Sequence, residues 1–256
     1  MRSILLVSSS LLATLTSAYV IPSASEPTGL VNKRQLNPLN AAVAFRAIVE
    51  RFTGDAKLAS TDPTASSICN VNGAKMPAAP TPLPDPSAGL ILDHVAVGRG
   101  TQNYTCADNT ANSIPAANGA IASLFNATCM AAPYPQLLSA MPGIALNFAV
   151  PDSTVAETFL SGHHLFLDKT TPFFNLDTDS HQWGTVSMSK TNSANAPNAA
   201  KDVAWLKLTA KDTTGTTISE VYRVNTAGGQ PPATCAGMPA NFEVQYSAVY
   251  WMWAKP

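Results

Sequence analysis

Charged side chains are scarce in this sequence. Asp, Glu, Lys and Arg make up 12% of its 256 residues, and 15 basic against 16 acidic side chains give a formal net charge of −1. A chain without excess positive charge has no electrostatic attraction to nucleic acid or to an anionic membrane. We therefore expect neither as a partner.

The common catalytic signatures are also missing. There is no G-x-S-x-G nucleophile elbow, no H-E-x-x-H zinc motif and no C-x-x-C pair. The acidic residues are too sparse for the carboxylate pair of a glycoside hydrolase to be recognised from spacing. No reaction follows from the sequence, and whether the chain is an enzyme stays open.

Long hydrophobic runs are absent as well. The most apolar stretch, Ile4–Leu15, is shorter than the ~20 residues of a membrane span and is interrupted by Ser and Thr. Arg2 precedes it and the small residues Thr16-Ser17-Ala18 follow, which is typical of a secretory signal peptide over residues 1–18. An N-terminal anchor helix is the alternative.

A second processing signal follows. Residues 19–34 are rich in Ser, Pro and Thr and end in Lys33-Arg34, which resembles the cut site of a kexin-type processing protease. The interpretation is a propeptide over 19–34 and a mature chain from Gln35, a single domain secreted to the extracellular space or cell wall. An unprocessed basic pair is the alternative.

Four cysteines favour disulfides rather than a metal site. An even count in an oxidising compartment indicates two bridges, and no pair has the close spacing of zinc ligands. Three pairings are possible. We prefer Cys106–Cys129 as a local bridge and Cys69–Cys235 as a long one.

Two N-glycosylation sequons lie close to cysteines. They are Asn103-Tyr104-Thr105 and Asn126-Ala127-Thr128, each three residues before a cysteine. In a secreted chain such sequons predict glycans on solvent-facing turns, with unmodified asparagines as the alternative.

The N-terminal third predicts one helix and a long loop. Asn37 can cap a helix over 37–53, Pro38 suits its first turn and Gly54 ends it. Its apolar stripe is Leu39, Val43, Phe45, Ile48, Val49 and Phe52. Residues 54–88 form a Pro-rich loop whose second half reads as an extended strap.

The body, residues 89–256, alternates at the period of β-strands. Predicted strands are residues 90–97, Gly119–Phe125, Ile144–Val150, His163–Asp168, Gly184–Ser189, Val203–Ala210, Ile218–Asn225 and Phe242–Trp253. In the last strand the even-numbered residues 242–252 are apolar throughout and should face the core. The fold class predicted is mainly β: an antiparallel β-sandwich or open barrel with one N-terminal helix and a Pro-rich strap.

Four segments together resemble a known family. They are Gly98–Cys106, Gly162–Phe166, Tyr222–Gly229 and Tyr246–Tyr250. These are similar to secreted fungal and bacterial proteins of unknown function, whose fungal members are often labelled malate dehydrogenase in genome annotation. The resemblance implies no catalytic residue.

The dehydrogenase label fits the residues poorly. Gly98-x-Gly100-x-x-Asn103 has asparagine where a dinucleotide fingerprint needs its third glycine. The next residues are a sequon and a cysteine, rather than the start of a helix that would hold pyrophosphate. We expect no nicotinamide cofactor and no other cofactor.

Two groups of side chains are candidate ligand sites. One of His163 and His164 could meet His181 and bind a metal with Asp168, Asp177 or Asp179, although the commoner outcome is structural histidines with aspartates in turns. Trp251 and Trp253 share a strand face and, if exposed, would form a platform for sugar rings; burial is the alternative.

The function we predict is a non-catalytic secreted protein that binds cell-wall or host polysaccharide, or another surface. The alternative is a small secreted enzyme, metal-assisted through His163 or His164 and His181. A structural or host-interaction protein without a small ligand is the third hypothesis. The sequence leaves oligomeric state open.

Overall fold

A computed structural model describes residues 70–148, 160–179 and 182–256, all within one compact unit. Eight strands dominate it. The elements are β1 (Ile91–Thr105), β2 (Ala116–Asn126), a 3-10 turn (Thr128–Met130), α1 (Pro135–Ala145), β3 (Gly162–Asp168), β4 (Thr171–Asp177), β5 (Gln182–Ala194), β6 (Trp205–Ala210), β7 (Ile218–Gly228) and β8 (Asn241–Ala254).

The strands form a closed antiparallel barrel. Each pairs with the next along the chain, and β8 returns to pair with β1 from Ile91↔Ala254 to Thr105↔Asn241. The mainly β, antiparallel prediction is confirmed, but the β-sandwich and the open barrel are wrong. Both end strands are long, with 15 residues in β1 and 14 in β8, so pairing them buries two edges that would otherwise stay open.

Side chains alternate between the inside and the outside of the barrel along each strand, and they form two separate hydrophobic cores. The inner core fills the barrel with side chains that include Leu124, Phe174, Met188, Tyr246 and Tyr250. The outer core lies on the outside of β6, β7, β8 and β1, with Val97, Trp205, Tyr222, Val249 and Trp251. This explains why β8 is buried on both faces between Tyr246 and Met252.

Two segments cover the outer core. Helix α1 contributes Leu138, Met141 and Ala145, and the strap (residues 70–88) contributes Ala79 with Met76 and Leu83 against its edge. Pro135 occupies the first turn of α1, where proline is tolerated. Each covering segment replaces solvent over apolar strand residues, which is the main source of its stability.

Polar contacts fasten the strap. Lys207 Nζ lies 3.1 Å from the carboxylate of Glu220 and donates to the carbonyl of Asp85 at 2.9 Å. Ser87 Oγ donates to Glu220 at 2.6 Å, and the Tyr222 hydroxyl donates to the carbonyl of Pro84 at 2.8 Å. A buried ion pair is thus completed by hydrogen bonds from the segment that covers it.

Three elements differ from the sequence predictions. The strand predicted at Ile144–Val150 is wrong, because Ile144 and Ala145 end helix α1. Helix α1 itself and strand β4, which contains Pro172, were not predicted. The predicted helix 37–53 and the first part of the loop 54–88 lie outside the described residues. Within residues 70–148, 160–179 and 182–256, no helix has the length and apolar content that a membrane crossing needs.

The predicted disulfide pairing is wrong. Cys106 bonds to Cys235, with their Cα atoms 5.8 Å apart. Because β1 and β8 are antiparallel, the residue after β1 lies beside the segment before β8, and Cys106 N donates to Ala240 O at 2.9 Å. Cys129 is also disulfide-bonded, and Cys69 lies outside the described residues. Strand β2 separates Cys106 from Cys129 by its length of roughly 36 Å.

Candidate ligand site in the mouth of the barrel

The Gly98–Cys106 segment sends alternate residues into the barrel. At Gly98 a Cβ would collide with the ring of Tyr250, and at Gly100 with the backbone carbonyl of Ile121. The two glycines therefore permit close packing inside a strand paired on both sides. A dinucleotide fingerprint would instead need a turn from strand to helix at this position. Further along, Gln102 and Tyr104 face a cavity.

That cavity, which we call the mouth cavity, has a volume of about 630 Å³. This is within the range of small-molecule sites. Arg223, Gln102 and Tyr104 are the buried polar side chains of its lining, and Phe166 and Leu206 are partly buried beside them. Three exposed lysines, Lys169, Lys190 and Lys211, stand at its rim.

The guanidinium of Arg223 is incompletely bonded. Its Nη2 donates to the carbonyl of Ala204 at 2.9 Å, and its Nη1 has only a long contact of 3.5 Å to Oε1 of Gln102. Its Nε is buried without a partner, and so is Nε2 of Gln102. Both residues are 8% exposed. Both atoms are shielded from solvent, and the side chains of Arg223 and Gln102 also interact with the hydroxyls of Tyr250 and Tyr246. The two donor groups are thus incompletely bonded at the buried end of the cavity, where a ligand with acceptor oxygens would add hydrogen bonds.

No carboxylate is among the described residues that line the mouth cavity. Asp168 lies in the turn that carries Lys169, but its carboxylate accepts hydrogen bonds from Thr170 and Thr171. Those bonds lower the pKa of Asp168 to about 2. The lining therefore carries four cationic side chains, and the nearest carboxylate in that turn is already occupied.

The groups beside Arg223 are neutral. The hydroxyls of Tyr246 and Tyr250 lie 2.8 Å apart, and burial raises the pKa of both tyrosines. His164 lies at 3.0 Å from the carbonyl of Phe173 through Nδ1, and burial lowers its pKa to about 4. At neutral pH these side chains give Arg223 no counter-charge.

The two adjacent histidines of the predicted metal site face opposite sides of strand β3. His164 points into the barrel and stacks on Phe174 with ring centroids 4.4 Å apart, whereas His163 is the adjacent residue on the strand and faces the other way. His181 lies outside the described residues. Among the described residues, no three His, Cys, Asp or Glu side chains are grouped as metal ligands would be.

The predicted tryptophan platform does not form. Trp251 is 2% exposed in the outer core, and Trp253 is partly buried against it. Helix α1 and the strap cover this face of β8, so the alternative of burial is confirmed for Trp251. Two polar residues on the same face of β8, Glu243 and Gln245, are exposed, but they lie near the other end of the strand.

The two sequons do not lie in turns. Asn103 is a half-buried residue of β1 and accepts a hydrogen bond from Thr101 at 3.2 Å. Asn126 is the exposed last residue of β2, and its side chain accepts from the backbone N–H of Thr128 at 2.9 Å. Whether either carries a glycan stays a prediction.

A serine and a histidine meet at another point of the barrel. Nε2 of His94 lies 3.2 Å from Oγ of Ser161, which donates to the carbonyl of Leu124. The hydroxyl of Thr128 lies 3.2 Å from Nδ1, where a catalytic triad has a carboxylate. Ser161 is buried, so this network is structural.

The sequence reading missed Arg223 and Gln102. Both lie in segments that carry the family resemblance, and Arg223 is the one charged residue between Val221 and Val224 in an apolar strand. That signal, a lone arginine at an inward position, could have identified the site once the strand's inner face was known.

Comparison with known proteins gives a family but no function. A search of the curated proteins found no match, and a search of the solved structures found none. The family model described as "Protein of unknown function (DUF3455)" matches residues 86–254, a range that holds all eight strands and every residue of the mouth cavity. The chain belongs to this family of proteins of unknown function.

Proposed function

We propose that this chain is an extracellular, non-catalytic binding protein that holds a small anionic ligand in the mouth cavity. The observation that carries the proposal is Arg223, a buried cation with an unpartnered Nε beside the unpartnered Nε2 of Gln102. Both residues line a cavity that a ligand can fill, whereas Trp251 is covered by α1 and the strap.

Charge and hydrogen bonding both favour an anion. An unsatisfied buried donor costs roughly 1–3 kcal/mol of free energy, and more when it is charged. A ligand whose acceptor oxygens bond to such a donor removes that cost on binding. Guanidinium groups bind carboxylate and phosphate oxygens with matched geometry. The lysines at the rim add attraction at longer range, which salt should screen.

The four segments of the family resemblance converge on this interior. Gly98, Gly100, Gln102 and Tyr104 come from the first, His164 from the second, Arg223 from the third, and Tyr246 and Tyr250 from the fourth. All four segments therefore contribute to the inner site, although their alternate residues, such as Arg99, Tyr222 and Val249, face the outer side of the barrel.

Export is part of the proposal. The leader, the basic pair and the sequons motivate it, and the Cys106–Cys235 bridge is of a kind that persists in oxidising compartments. Polysaccharide binding through an exposed tryptophan face loses its basis, because Trp251 is buried. Binding inside the barrel is the form of the binding hypothesis that the described residues support.

Titration calorimetry with acetate, benzoate, sulfate and inorganic phosphate tests the proposal. We expect at least one of these anions to bind, more weakly at higher salt, and Arg223→Gln to weaken that binding at least about 30-fold, or about 2 kcal/mol. Lys255→Gln, which removes an exposed lysine outside the cavity, is the matched control and should bind as the wild type does. Absence of anion binding in the wild type, or equal binding by a folded Arg223→Gln variant, would refute the proposal.

A further inference from the structure

We infer that the ligand of the mouth cavity is a uronic acid unit, a sugar ring bearing a carboxylate, and that it binds with the carboxylate deepest. This inference rests on the proposed function and adds the ligand class and its orientation. Its basis is the order in which polar, apolar and charged side chains follow one another from the buried end of the cavity to its rim.

The buried end is polar. Arg223 and Gln102 present unpartnered donors there, and the hydroxyls of Tyr246 and Tyr250 lie in the same interior. An amphiphile such as a fatty acid normally buries its tail, which here would leave these donors unsatisfied. The deepest group of the ligand is therefore the one that carries acceptor oxygens.

The partly buried wall suits a ring with apolar C–H faces. Phe166 packs against Gly119 and presents its ring to the cavity, and Leu206 lies on another strand of the lining. Aromatic rings stack favourably on the C–H faces of sugars because such surfaces are apolar. A wall of this kind adds nothing to the binding of a small inorganic anion.

The rim is hydroxylated and cationic. Ser193, which pairs with the inward residue Leu206, supplies a hydroxyl group that both donates and accepts, as sugar hydroxyls require. Lys190 pairs with Leu208 across β5 and β6, whereas Arg223 pairs with Leu206 across β6 and β7. The backbone positions of the two residues are thus about two strand spacings apart, roughly 10 Å plus a short step along the strand.

This spacing distinguishes two ligands that carry a uronic acid: a single sugar unit and the end of a polysaccharide. A single uronic acid unit would occupy only the buried end and the wall. The end of an acidic polysaccharide would also place its next carboxylate near the rim lysines. Both sources predict the same contact with Arg223, and they differ in whether Lys169, Lys190 and Lys211 contribute.

The decisive comparison uses closed-ring probes that differ at one carbon. Methyl β-glucuronide carries a carboxylate where methyl β-glucoside carries a CH₂OH group. By titration calorimetry we expect the glucuronide to bind at least about 30-fold more tightly than the glucoside and at least tenfold more tightly than acetate. Decanoate should bind no more tightly than acetate.

Two variants report the orientation. Phe166→Ala should weaken glucuronide binding about tenfold and leave acetate binding unchanged, whereas Arg223→Gln should weaken both. Replacing Lys169, Lys190 and Lys211 together by Gln should weaken a trimeric uronate more than the methyl glucuronide if the ligand is a chain end, and both equally little if it is the single unit. Lys255→Gln remains the control.

The outcomes separate this inference from the proposed function. Acetate or phosphate binding that depends on Arg223, with no gain for the glucuronide, would overturn the uronic acid inference and leave the anion site standing. Equal binding of glucuronide and glucoside, or tighter binding of decanoate than of acetate, would overturn it too. These ligand comparisons use the wild-type protein, so they do not depend on a variant folding.

Discussion

The outer face of the barrel and its mouth each bury a cationic side chain, and the two cations differ in how completely they are hydrogen-bonded. On the outer face, Lys207 lies 3.1 Å from Glu220, and the strap supplies the remaining hydrogen bonds to that pair. In the mouth, Arg223 has one short bond to a carbonyl and an unpartnered Nε. The ion pair on the outer face is completed by hydrogen bonds from within the chain, whereas Arg223 keeps an unpartnered donor beside a cavity.

A second arginine shows that the fold can satisfy a guanidinium by itself. Arg99, on the outside of β1, donates to the carbonyls of Ala145 and Phe148 at the end of α1 and to those of Gly100 and Tyr246. Negative partial charge at a helix C-terminus favours a cation there. Arg99 is therefore structural, and the contrast isolates Arg223 as the arginine whose bonding is incomplete.

Breaking the ion pair between Lys207 and Glu220 should have the largest effect on stability. Glu220→Leu leaves Lys207 buried without its carboxylate and removes the acceptor of Ser87, so we expect a loss of about 3–5 kcal/mol in the free energy of unfolding. Urea unfolding monitored by circular dichroism measures it. Glu243→Leu, at an exposed acid of β8, should change stability by less than about 0.5 kcal/mol.

The double variant Lys207→Met with Glu220→Leu sharpens this test. Because it removes both charges together, it should recover most of the loss. If the single and double variants were equally unstable, the cost would come from the strap contacts rather than from an unpaired charge.

A smaller effect is expected from His164 in the interior. Burial lowers its pKa to about 4, against 6.5 for the free side chain, so the unfolded chain binds a proton that the folded chain does not. Stability from this residue is complete above pH 6.5 and falls as the pH drops, by about 3 kcal/mol near pH 4.

Urea unfolding of His164→Gln across that pH range tests the linkage. The variant should be less dependent on pH between 6.5 and 4 than the wild type. The pKa of Glu220 is lowered as well: burial opposes ionisation of its carboxylate, but hydrogen bonds from Ser87 and Lys207 outweigh this. Its stabilisation is lost only at lower pH, and it is present in both proteins. Parallel stability curves would contradict the role assigned to His164.

Local patterns in the sequence predicted most of the strands but not the pairing of β1 with β8 that closes the barrel. The alternation of β8 correctly assigned Tyr246, Ala248, Tyr250 and Met252 to the inside. It could not show that Val249 and Trp251 are also buried, because the segments that cover them lie more than 100 residues earlier in the chain. The same long-range pairing of β1 with β8 decides the disulfide, which sequence spacing alone assigned wrongly.

The candidate site was harder to predict, for a related reason. In β7 both faces are apolar on either side of Arg223, so the period-two pattern does not say which face is inside. Only the closed barrel brings Gln102 of β1 to Arg223 of β7. The histidines and tryptophans attracted attention as residue types that commonly carry chemistry, but His164 and Trp251 are packed side chains.

Substituting Arg223 in the mouth cavity should change stability least but should abolish ligand binding. Arg223→Met removes a buried charge that has no carboxylate partner among the described residues, so we expect a free energy of unfolding within about 1 kcal/mol of the wild type. Lys207→Met, which leaves Glu220 unpaired, should lose about 3–5 kcal/mol. Acetate or phosphate binding should disappear in the first variant and persist in the second. If Arg223→Met proved as unstable as Lys207→Met, Arg223 would be a structural residue like Arg99, and the contrast between the two regions would fail.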